Sequence, residues 1–148
     1  MSVQAPRRKT GNLRVETVCA ELCSTTRKLL SDERIFPKRS RWLGARDIAD
    51  AASKMMGCIF RANDIKVKLP QEAKDRHRLQ TMALGYFGEL EKRMTFEAFY
   101  WENDPNLYGV WADLMNQEEK LLKNWIYKDE KRYAALLGID TRQHDIDG

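Results

Sequence analysis

Ile35-Phe36-Pro37-Lys38-Arg39-Ser40-Arg41-Trp42 is the stretch on which the fold of this chain turns. Pro37 has no N–H to donate and pushes Phe36 out of helical geometry, so a helix arriving from the N-terminal side must end at or before Phe36. Ser40 then offers a side-chain oxygen to cap a second helix. Arg34, Lys38, Arg39 and Arg41 place four cations within eight residues. The corner between two helices is therefore a candidate contact for anions.

Working outward, apolar residues recur at helical steps on both sides of the corner. Val15, Val18, Leu22, Thr25 or Thr26, and Leu29 mark one face of a helix from about Leu13 to Glu33. A second helix, from near Ser40 to near Asn63, has Ala45, Ile48, Ala49, Ala52, Met56 and Ile59 inward, and these mostly small residues permit close helix approach. Gly57 weakens its interior, which suggests a neighbouring helix lying against it. Pro70 opens a third helix carrying Leu79, Met82, Ala83, Tyr86, Leu90 and Met94, extending toward Trp101. Asn103-Asp104-Pro105-Asn106 stops it. A fourth helix carries Leu107, Val110 or Trp111, Leu114, Leu121, Leu122 and Trp125 and ends near Tyr127. A short last helix covers Glu130 to Leu137, with Gly138 as terminator.

Four long helices with short links make an all-α, up-down-up-down four-helix bundle with a short C-terminal helix. The bundle occupies residues 13 to 137. Residues 1 to 12, basic and without apolar period, read as a flexible tail, and residues 138 to 148 as a C-terminal tail. The chain has 148 residues, enough for one core without disulfides or a structural metal.

Function classes narrow by what the sequence lacks. It has no run of about 20 apolar residues and no apolar signal segment, which predicts a cytoplasmic protein with no membrane association. Cys19, Cys23 and Cys58, an odd number without zinc-finger spacing, suit free thiols in a reducing compartment. Cys19 and Cys23 lie one helical turn apart but lack histidine partners, so they read as core residues. Neither His77 nor His144 follows a Glu by three residues, as a di-iron bundle requires. His77, among Lys74, Arg76 and Arg78, reads as a solvated histidine. Glu89, Glu91, Glu97, Glu102, Asp104, Glu118 and Glu119 read as solvated acidic faces. No phosphate-binding glycine loop or nucleophile elbow is present. The expectation is a protein that is not an enzyme and carries no cofactor or metal.

Charge is the positive signal. Residues 27 to 46 carry seven cations against two acids, residues 61 to 78 six against three, and residues 89 to 119 two against eight. Lys38, Arg39, Arg41 and Arg46 lie at the start of the second helix. Arg61, Lys66, Lys68, Lys74, Arg76 and Arg78 lie around its far end and the start of the third. One monomer cannot merge these groups, but symmetric copies in a ring would align each into a basic belt. Polyanion binding by counterion release follows from that arrangement. The aromatic run Phe96, Phe99, Tyr100 and Trp101 covers more than one helix face. It suits either a subunit interface or a surface over which the final helix folds back.

The turn from Ile35 to Trp42, the small-residue helix after it and its close at Arg61-Ala62-Asn63 resemble a four-helix-bundle family with two branches. One is the accessory variability determinant of diversity-generating retroelements; the other is the ribosomal-RNA intervening-sequence protein. The resemblance spans about Leu13 to Tyr133 and implies a homopentameric, basic, nucleic-acid-binding assembly. In the retroelement branch it also implies a reverse transcriptase partner, assisted during mutagenic copying of template RNA. Lys38, Arg39 and Arg41 match the family's basic turn. The basic N-terminal extension and the acidic stretch through Asp113 and Glu118-Glu119 depart from it. The expected function is thus a non-catalytic, oligomeric accessory protein binding RNA or DNA. The alternative is a protein-interaction module of a phage or mobile element that does not contact nucleic acid.

Overall fold

The computed structural model describes residues 10 to 139, with side chains from Leu13 onward apart from Arg41 and Trp42. Expectations for residues 1 to 9 and 140 to 148, among them most of both tails and His144, lie outside the described residues, whereas residues 10 to 12, expected in the N-terminal tail, form the start of the first helix. The architecture is the expected all-α bundle: α1 (Thr10–Ser31), α2 (Ala45–Asp64), α3 (Pro70–Tyr100), α4 (Gly109–Arg132) and a short α5 (Ala134–Leu137). No strand occurs among the described residues, and no helix there is long and apolar enough to cross a membrane.

Four cross-helix pairs set the topology. Asn63 near the end of α2 bonds Glu16 near the start of α1, and Arg93 late in α3 reaches Asp47 early in α2 at 3.4 Å. Arg76 early in α3 meets Asp129 late in α4, and Trp111 at the start of α4 donates to Thr26 near the end of α1 at 3.0 Å. Each helix is antiparallel to both of its neighbours. The order around the bundle is α1, α2, α3, α4, with α4 closing on α1.

Val15, Val18, Leu22, Thr26 and Leu29 of α1 are buried as their period predicts, joined by Cys19 and Cys23. In α2 the buried set is Ala45, Ile48, Ala51, Ala52, Met55, Cys58, Ile59 and Ala62, while Ala49 is exposed and Met56 half-buried. Because α2 packs on both α1 and α3, its buried sector is wide and turned slightly from the predicted stripe. Met82, Leu107 and Val110 are exposed, and Tyr86 and Leu121 only half-buried. Phe87 and Met115 take core places instead.

Three local expectations change. Ser40 does not cap α2: residues Lys38–Trp42 form a 3₁₀ turn, the Ser40 carbonyl accepts from Leu43 and Gly44, and α2 starts at Ala45 without a side-chain cap. The turn absorbs the residues that the longer helix would have used. No helix lies against Gly57, where a Cβ would meet nothing within 4 Å. The close approach occurs at Gly44, where a Cβ would collide with the Glu97 carboxylate. Finally, α4 runs past Tyr127 to Arg132. Gly138, at φ 76°, ends α5 in the left-handed conformation expected of a glycine terminator.

Candidate nucleic-acid interface

Ile35 and Phe36 are buried, and both of their N–H groups donate to the Asp32 carbonyl. Asn103, between α3 and α4, donates to the Ile35 carbonyl at 3.3 Å and accepts from the Tyr108 hydroxyl at 2.6 Å. The hydrophobic half of the turn is thereby fixed to the bundle while Lys38 and Arg39 face solvent. Lys38 lies 3.7 Å from Glu33, an exposed pair worth little. The Arg39 guanidinium lies 5.0 Å from the centre of the Trp101 ring. Arg46 is exposed in the first turn of α2, and the Arg41 side chain lies outside the described residues.

Arg61 near the end of α2, Lys66 and Lys68 in the α2–α3 link, and Lys74 and Arg78 on α3 lie at the opposite end of the bundle, and all five are exposed. The 20 residues of α2 separate the two groups by about 30 Å. As the sequence suggests, one chain does not bring them together.

Arg76 leaves the candidate set. It is 6% exposed and pairs with Asp129 at 2.5 Å, so its guanidinium is already engaged in the interior. Its position between Ala73 and Leu79, three residues from each, places it on the buried face of α3. His77 is also no free surface group. Half-buried, it meets Glu130 at 2.7 Å.

Two of the expected surface carboxylates are buried. Glu97 accepts from the Trp101 indole at 3.1 Å, and Glu118 is fully enclosed. Burial, followed by the charge of Cys23, pushes the Glu118 carboxyl up to about 9, so it is neutral at ordinary pH. Both sit in register with the apolar stripe, Glu97 three residues after Met94 and Glu118 four after Leu114, and that spacing is the signal that composition alone misses. Cys19, Cys23 and Cys58 are buried free thiols. The bond to Cys23 and then burial push the Cys19 thiol up, and burial raises Cys58. Among the described residues no group of three or more His, Cys, Asp and Glu is arranged to hold a metal ion.

The aromatic run is open to solvent. Phe99 is 82% exposed, and Phe96 and Tyr100 are also exposed, whereas Trp101 is half-buried against the core. The final helix does not fold back over them: α5 follows Asp129 and Glu130, which meet Arg76 and His77 at the other end of α3. Beside the run, an apolar groove of about 690 Å3 opens between α3 and α4, lined by residues including Ala98, Phe99, Pro105, Tyr108 and Trp111.

No protein-family model matches this chain, and neither the curated proteins nor the solved structures include one detectably similar to it.

Proposed function

We propose that the protein is a non-catalytic, oligomeric nucleic-acid-binding accessory protein, with Lys38, Arg39, Arg41 and Arg46 contacting phosphate at one end and Arg61, Lys66, Lys68, Lys74 and Arg78 at the other. The observation that carries this reading is the display of solvent-accessible cations at both ends of a rigid four-helix frame, with no acid engaging Arg39, Arg46, Arg61, Lys66, Lys68, Lys74 or Arg78 among the described residues. Self-association into a ring, which the family resemblance implies to be a pentamer, would repeat each group around an axis and multiply its attraction for a polyanion. In this reading the subunit seam uses the Ala98, Pro105 and Ala112 part of the apolar groove between α3 and α4 and leaves the Tyr100 ring open. The finer proposal is that the ring assists a retroelement reverse transcriptase during mutagenic copying of a template RNA.

The same groove favours a second reading, a protein-interaction module of a mobile element that never touches nucleic acid. Alanine at Lys38 and Arg39 separates the two. Loss of polyanion binding with an unchanged melting temperature supports the nucleic-acid reading. Polyanion binding absent from the parent protein itself, at low salt, supports the module.

A further inference from the structure

The exposed cations of the Lys38–Trp42 turn are continuous with a row of aromatic rings. The Arg39 guanidinium lies over Trp101 at 5.0 Å, Trp101 meets Tyr100 edge to face at 4.9 Å, and Tyr100 stacks on Phe96 at 6.2 Å with planes 25° apart. Phe96 and Tyr100 sit one helical turn apart on α3, so the helix itself aligns their rings. Each keeps more than half of its surface in water, at 59% and 56% exposed.

Cations border this row on the side of the turn. Of the nearby acids, Asp47 faces Arg93 and Glu97 is buried with Trp101, while Glu33 lies 3.7 Å from Lys38 in an exposed pair and Glu102, next to Trp101, is exposed. Arg39 has no acid partner among the described residues, and Arg46 projects from the adjoining first turn of α2. A ligand that fits must offer flat π faces together with regularly spaced negative charge. A nucleic-acid single strand offers both, because its base faces are free to stack on side chains. In a duplex those faces are closed against one another.

We propose that Arg39, Trp101, Tyr100 and Phe96 form a base-stacking platform that makes this end of the bundle selective for single-stranded nucleic acid. Bases lie on the exposed Tyr100 and Phe96 rings, while Lys38, Arg39 and Arg46 hold the adjoining phosphates. The assignment rests on the nucleic-acid reading above and adds strand selectivity to it. The far cluster has no comparable row of exposed aromatic rings among the described residues and contributes charge alone.

The test measures binding of a labelled oligothymidylate, an oligouridylate and a blunt duplex of matched phosphate number, at one low salt concentration. The parent protein should prefer the single strands. Tyr100→Ala and Phe96→Ala should each weaken single-strand binding about fivefold or more and leave duplex binding and melting temperature unchanged. Tyr100→Phe should bind as the parent does. The oligothymidylate and oligouridylate arms separate DNA from RNA as the source of the strand. Equal affinity for strand and duplex, with both alanine variants silent, overturns the platform while leaving the nucleic-acid reading intact. Equal losses on all probes accompanied by a fall in molecular mass also overturn it, by making the row a subunit seam. Failure of the parent protein to bind any probe defeats the underlying reading as well.

Discussion

The Arg76 guanidinium and the Asp129 carboxylate meet at 2.5 Å with both side chains buried, and through them three helices share one polar junction. Arg76 also donates to the Ala62 and Ile65 carbonyls at the end of α2, and Gln80 donates to the same Asp129 oxygen at 2.8 Å. Removing one partner would leave a buried charge uncompensated, a loss of about 3–5 kcal/mol. Arg76→Ala should therefore lower the urea midpoint sharply, whereas Lys74→Ala and Arg78→Ala should hardly move it. Equal midpoints for all three would place Arg76 on the surface.

Trp111 is buried, and its indole N–H donates to the Thr26 hydroxyl. Trp111→Ala should cost about 3–5 kcal/mol by opening a cavity at the α1–α4 contact. Thr26→Val removes the hydroxyl that accepts from Trp111 and donates to the Leu22 carbonyl, keeps the side-chain volume, and should cost about 1–3 kcal/mol. Denaturant titration of the two variants would rank them, and a larger loss for the valine variant would contradict the packing described.

Glu118 makes stability depend on pH. Its carboxyl has an ordinary value of 4.5 and is raised to about 9 in the fold, so between those values the folded chain holds a proton that the unfolded chain has released. The stability tied to this proton is complete below about 4.5 and is lost as pH rises toward 9. Glu118→Gln should gain on the parent protein with increasing pH, by on the order of 3 kcal/mol at pH 7. Urea midpoints of both proteins at pH 5, 7 and 8, about as far as the window reaches, provide the check. A constant difference across that range would mean that Glu118 is ionised in the fold.

Glycines 44 and 57 should respond in opposite directions. Gly57 lies inside α2 with open space around it, so Gly57→Ala should stabilise by about 0.4–1 kcal/mol. Gly44→Ala would drive a methyl group into the buried Glu97 carboxylate and should destabilise. Thermal melts of the two variants would show it.

Helix order and the stripe of α1 were legible because apolar period and the Pro37, Pro70 and Pro105 breaks are local signals. Polar residues at stripe positions were harder to place. Arg76, Glu97 and Glu118 occupy buried register, yet their residue types argue for the surface, and only a partner such as Asp129, or loss of charge, reconciles the two. Ser40 has the chemistry of a cap, but the chain spends it inside a 3₁₀ turn set by the burial of Ile35 and Phe36. For the candidate interface, sequence identified Lys38 and Arg39 and, separately, the aromatic run. Their adjacency depends on α3 returning beside the turn, a contact of Arg39 with Trp101 across 62 positions of chain that no local pattern encodes.

Nucleic-acid binding as a function of salt tests the central claim most directly. For the parent protein, log affinity for RNA or DNA should fall linearly with log salt, by about 0.7 to 0.9 for each phosphate neutralised. The Lys38→Ala and Arg39→Ala double variant should show a shallower slope by roughly the share of two phosphates. Binding that ignores salt, or no binding at low salt, would contradict the account.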